Sequence, residues 1–258
     1  MNEEAHPTPD VPAPPPQPET PSSEGISAVE ALTGVILSPK ETFPRIVERR
    51  WAFALVPLAL FLATTLLGSF LFVSRVDMKQ FVKDQIRQNR FASQMSEQQI
   101  EDAADKAAAR PKWVQPVIGG VSMVVVILVL AAIFWLVMLA FGSEITFPRS
   151  FQATAWALLP SFLTGLIFIV LMFVKDPNTL DVKNPIATNV AAFLNRETTA
   201  KPLYVLIQSV DLIKIWILAL LSIGLAAAGR TRIGKAATVV VSLYVLWVLL
   251  LVGFAFIF

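Results

Sequence analysis

Five long apolar stretches decide what this chain can become. They cover residues 51–73, 114–141, 151–174, 203–228 and 236–258, each 23 to 28 residues long. About 20 apolar residues in an α-helix cross the ~30 Å hydrocarbon layer of a bilayer. Lipid offers no water to backbone amides, so a spanning segment must close its own hydrogen bonds as a helix. The expected fold is all-α: a polytopic membrane protein with five transmembrane helices. Composition agrees, since 55% of the residues are apolar and only 16% charged, against about 25% charged in a soluble domain.

The flanking segments read differently. Residues 1–24 hold eight of the 18 prolines and almost no large apolar side chains, which predicts a disordered proline-rich tail. Residues 25–50 read as two amphipathic helices on the membrane surface. Ile26, Val29, Leu32, Val35 and Ile36 give the first stripe, and Phe43, Ile46 and Val47 the second. Ser38-Pro39-Lys40-Glu41 is a capping-box pattern on a proline-initiated helix. Residues 74–113 carry 14 charged side chains, and Ser96 with Gln99 forms a second capping-box pattern. This charged insertion is expected to be a helical hairpin on or above the bilayer. Residues 51–258 then make one membrane domain. The short connections 142–150 and 229–235 make spans two and three, and four and five, antiparallel neighbours. Trp51, Trp113, Trp156 and Tyr204 lie near span ends, as interfacial anchors do.

Charge counts pull the orientation both ways. With the N-terminus inside, the inner segments carry eight Lys/Arg and the outer ones twelve. Cations close to span ends weigh most, however, and residues 229–235 hold three within seven positions. The expected orientation is N-terminus cytoplasmic, C-terminus outside.

Chemistry is sparse. Net charge is +2, too small for a nucleic-acid partner. Cys is absent and the single His, His6, lies in the tail, so no metal site, cofactor or catalytic residue is assigned. Asp211 and Lys214, at i and i+3 in span four, share a helix face and could form an ion pair. Ionisable groups within a span are costly and often functional. An interfacial Asp211 with an outward-reaching Lys214 is the simpler reading. Ser222, Gly224, Ala226 and Ala228 form a small-residue stripe for packing within the bundle or for a homo-oligomer.

Three sequence pieces together carry a resemblance: Leu37–Ile46 (LSPKETFPRI), Phe147–Phe151 leading to Ala155–Pro160 (AWALLP), and Asp211–Trp216 (DLIKIW) followed by Gly224-Leu225 and the basic turn. In this order, before and within five spans, they resemble the Yip domain family of membrane proteins, named for eukaryotic members that interact with Ypt/Rab GTPases, a role that does not carry over to bacterial members. The resemblance extends over about residues 30–258. It implies a five-helix, N-cytoplasmic layout and singles out Trp216, Gly224 and Pro160 besides Asp211 and Lys214. The long charged insertion is similar to bacterial members, placing the protein in a bacterial cytoplasmic membrane. The expected role is non-enzymatic: a scaffold or adaptor that binds membrane or cytoplasmic protein partners or organises the bilayer. The alternatives are a small transporter or channel subunit using Asp211 and Lys214, and an undetected membrane enzyme.

Overall fold

A computed structural model describes residues 25–87, 94–179, 186, 188–195 and 198–257. The expected tail, residues 1–24, lies outside them. Among the described residues all regular structure is helical, apart from one isolated β-bridge. The helices in chain order are α1 (Ala28–Leu37), α2 (Pro39–Val47), α3 (Leu55–Arg75), α4 (Met78–Arg87), α5 (Glu97–Ala108) and α6 (Val114–Ala140). They continue as α7 (Phe147–Ala157), α8 (Leu159–Val174), α9 (Lys201–Ser209), α10 (Leu212–Ala228) and α11 (Ile233–Ile257).

Four helical segments are long and apolar enough to cross a membrane: Trp51–Arg75, Val114–Ala140, Phe147–Val174 and Ile233–Phe256. Between 17% and 22% of each apolar window is buried. Most of their surface, such as Val125, Val129 and Leu136 on α6 and Leu246, Leu249 and Leu250 on α11, points outward. An apolar belt of this extent requires lipid. The remaining expected span, span four at residues 203–228, is divided. It breaks at Val210–Asp211 into α9 and a 17-residue α10, about 25 Å long at 1.5 Å per residue. Span three is also interrupted, at Leu158. Pro160 has no N–H to give to the carbonyl of Trp156, so α7 stops and α8 restarts around it. Pro57 lies in the first turn of α3, where an N–H would have no helical partner anyway.

The N-terminal helices depart from the surface placement. α2 packs into the bundle against α7 and α10, and α1 packs against α2. Ile26, Val35, Phe43, Ile46 and Val47 join Trp156, Leu220 and Leu225 in the main core. Apolar periodicity says that a face is buried but not whether lipid or protein buries it. Here the small residues of α10 leave room for α2. α1 still exposes Val29 and Leu37. Gly34 lets the two helices meet, since a Cβ there would come 2.4 Å from Thr42 Oγ1. The Ser38 capping box does not form. Its carbonyl instead accepts from Glu41 N at 3.2 Å and Thr42 Oγ1 at 2.9 Å. Two expected interfacial aromatics are internal: Trp156 is fully buried, stacked 5.1 Å from Phe53, and Tyr204 is buried. Trp51 and Trp113 are exposed.

The charged insertion folds as a hairpin of α4 and α5. Ser96 and Gln99 make the reciprocal capping box that starts α5. Phe72 meets Phe81 edge-on at 5.2 Å and ties α4 to the end of α3. Between the two helices, Lys79 pairs with Glu101 and Asp105, Lys83 with Glu101, and Arg87 with Glu97. The hydrogen bonds from Lys79 and Lys83 pull the Glu101 carboxyl from 4.5 down to about 2, and the same carboxylates raise Lys79 above its ordinary 10.5.

A depressed carboxyl stabilises the folded state above its unfolded value and loses that contribution as pH falls through its folded value. A raised ammonium contributes fully below its unfolded value and loses that contribution at higher pH. The hairpin should therefore hold constant between its ordinary carboxylate and lysine ranges. It should loosen as pH drops from 4.5 toward about 2, and it should soften in molar salt at neutral pH. Amide exchange of α4 and α5 across this range checks it. Exchange that does not respond to either pH or salt would remove the ion pairs as the holding force.

Candidate functional site

The break in span four gathers most of the polar chemistry of the membrane domain. Val210 and Asp211 are extended, with ψ of 93° and 134°. A break frees carbonyls at the end of α9 and N–H groups at the start of α10, and lipid cannot satisfy either set. Asp211 serves the second set. Its Oδ1 accepts from Ile213 N at 2.9 Å and Lys214 N at 3.1 Å, an N-cap on α10. Leu212 N donates to Thr188 O at 3.2 Å, within an antiparallel bridge between Asn189 and Asp211. The other carboxylate oxygen, Oδ2, accepts from the Thr188 hydroxyl and from Asn189 Nδ2 at 3.3 Å.

The carbonyls of α9 are met from three directions. Val210 N closes onto Ile207 O at 3.1 Å. Lys214 Nζ reaches back to Gln208 O at 3.1 Å. The Tyr244 hydroxyl, from α11, donates to Ser209 O. Asp211 and Lys214 therefore serve opposite sides of one break and do not pair with each other. The expected ion pair gives way because backbone groups with no alternative partner compete for both side chains. Asp211 is buried and Lys214 is exposed.

The other singled-out residues lie elsewhere. Pro160 is buried at the α7–α8 interruption. Trp216 is half-buried against the main core. Gly224 faces inward, and a Cβ there would stand 2.8 Å from the Phe43 ring and 3.3 Å from Ala153 Cβ. Ser222, Ala226 and Ala228 are buried on the same helix, so this monomer uses the small-residue stripe to admit α2. Alongside, Gln152 of α7 donates Nε2 to Arg49 O at 2.8 Å, fixing the turn into α3.

A profile of the Yip1 domain matches residues 33–257. The chain belongs to the Yip1 domain family. No curated protein matches it, and no solved structure does. The Yip1 match takes in α2, every membrane helix, the charged hairpin and both sides of the Asp211 break. Sequence reasoning missed Thr188, Asn189 and Tyr244 as parts of this Yip1 site. Tyr244 left a signal, since a tyrosine mid-way along an apolar span needs a partner for its hydroxyl. Thr188 and Asn189 left none, as nothing local distinguishes them from other loop polar residues.

Two expectations follow. Asp211→Leu strands four donors and should cost about 2–4 kcal/mol of stability in micelles, with Lys214→Leu costing less than half as much. Equal stability of Asp211→Leu and the parent would mean that the cap does not hold the break. Gly224→Val should displace α2 at about 1–3 kcal/mol. Because the chain has no native Cys, a Val35→Cys reporter should then gain maleimide reactivity; a reporter that stays protected would show that α2 tolerates the added methyls.

Proposed function

We propose that this Yip1-domain protein is a non-enzymatic membrane scaffold or adaptor that binds a protein partner through its α4–α5 hairpin. The preorganised hairpin carries the reading. Charges on its facing sides are paired across α4 and α5, while Gln98, Asp102 and Lys106 stay exposed on α5. A surface already folded before contact loses less entropy on binding. A hairpin joined directly to α3 and leading through residues 109–113 into α6 would pass a binding event to the bundle. Transport through Asp211 and Lys214 draws no support from the arrangement, because both groups are engaged at the helix break. A bacterial cytoplasmic membrane, with the N-terminus inside and the hairpin outside, is the setting we favour. The density of cations at residues 229–235 supports it.

Crosslinking of the full chain in its native membrane, read by mass spectrometry, tests the proposal. Lys106 and Lys112 should give reproducible crosslinks to one other protein or to a second copy, and reversing the charges at Asp102 and Lys106 should abolish them. Crosslinks that never involve α5, or that persist after the charge reversal, would overturn the hairpin as the docking element. A C-terminal reporter found in the cytoplasm would overturn the orientation.

A further inference from the structure

Within the membrane domain, α3 packs against both α6 and α8 but leaves space between those two. The space is a groove of about 430 Å³, in the size range of small-molecule sites. Two lining glycines let α3 and α8 meet along one side of it: a Cβ at Gly68 would meet Phe168 at 3.4 Å, and one at Gly165 would meet Thr64 at 3.3 Å. Phe61, Met123, Val126, Ile127 and Phe168 supply its apolar wall. All three helices belong to membrane-crossing segments, so the mouth of the groove, marked by the 55% exposed Val126, opens on acyl chains.

The lining also carries hydroxyls of three kinds, one being Thr65, which donates to Met123 Sδ across the groove at 3.7 Å. Thr64 donates to Leu60 O at 3.0 Å and Thr164 to Ser161 O at 2.7 Å, the usual helical back-bonds. Ser69 and Ser161 line the groove with no hydrogen bond from their hydroxyls to any described residue. A helical serine in an apolar span can bond its own backbone, so a hydroxyl left over beside an open groove is available to a ligand. Ser69 lies six residues, about 9 Å, before Arg75, whose Nη1 caps α8 by donating to Met172 O at 2.7 Å. Ser69 is the lining hydroxyl nearest the α3 C-terminus, and Arg75 stands beyond the lining at that end, over the Phe173 ring.

We propose that this groove holds one acyl chain of a membrane glycerophospholipid, its ester carbonyl at Ser69 and its phosphate toward Arg75. The groove's end at the α3 C-terminus offers what such a lipid needs next to its tail, a hydroxyl at Ser69 without a partner among the described residues for the ester and the exposed Arg75 beyond it for the phosphate. Occupancy would fill a gap that three packed helices otherwise leave, and would tie the end of α3, where the hairpin begins, to the surrounding bilayer.

The test uses the full chain in vesicles of phosphatidylethanolamine and phosphatidylglycerol containing a phospholipid with a diazirine in its acyl chain. Photolysis and peptide mapping should place saturable label on the groove residues of α3, α6 and α8, above the label on Leu246 and Leu250 of α11. Val126→Trp, at an exposed position on the mouth, should cut groove labelling about tenfold, and Ser69→Ala about threefold to tenfold. Leu246→Trp, on α11, should leave it unchanged. Label spread evenly around the bundle, label that never saturates, or insensitivity to Val126→Trp would overturn the proposal. A free fatty-acid probe that labels the groove better than the phospholipid would overturn the choice of ligand.

Discussion

An unpaired backbone group has no partner in hydrocarbon, and the whole membrane domain is arranged around that constraint. It makes helices of the apolar segments. It also makes their interruptions expensive. The chain interrupts two of them, and it satisfies each by a different route. At Leu158 the helix loses little, because Pro160 has no N–H to satisfy and Ser161 N bonds back to Leu158 O at 2.8 Å. At Val210–Asp211 it loses a full turn on both sides, and six groups from three parts of the chain are recruited: Asp211, Lys214, Thr188, Asn189, Tyr244 and Val210. A carboxylate accepting from four donors at such a site is a structural anion, with no coordination left for a substrate.

The second organising fact is the close approach of α2. A short amphipathic helix gains as much from lipid as from protein for the burial of its apolar face. What decides for protein is the geometry of the receptor. Gly224 leaves room that the Phe43 ring fills, beside Ala153 of α7, within the core that also holds Trp156 and Leu225. Packing of this quality adds dispersion contacts that fluid lipid cannot match. Glu30 and Arg45, paired across α1 and α2, then close the outer side of the unit.

The apolar spans were legible in sequence because length and hydropathy answer the question that lipid poses. Span one, read as 51–73, is helical from Trp51 to Arg75, and span two, read as 114–141, from Val114 to Ala140. The Ser96 cap was legible because its partner, Gln99, is three residues away. The Asp211 break was not, because the groups that make it affordable lie 22 to 33 residues distant, at Thr188, Asn189 and Tyr244. Nor was the internal position of Trp156: an aromatic at a span end anchors equally well in an interface or against a neighbouring ring, and Phe53 supplies the ring here. The resemblance pointed to Gly224 and Asp211 as special positions, but only packing shows that one admits a helix and the other caps one.

These two arrangements divide the stability of the bundle unevenly between its ends. The end with α1, α2 and the α10–α11 turn is held by close-packed apolar side chains: Phe134 and Met138 of α6, Leu220 and Leu225 of α10, Val239 and Val240 of α11. The opposite end is held by directional polar contacts: the ion pairs of the hairpin, the Arg75 bond to α8, and the hydrogen bonds around Asp211. Buried packing is cooperative and insensitive to its surroundings, whereas exposed ion pairs respond to salt, pH and partners. Local opening is drawn from the less densely packed parts of a structure. A binding event or a change of lipid would therefore move the hairpin, the loop at Thr188 and the broken helix first, with the α1–α2 end as the fixed base against which they move.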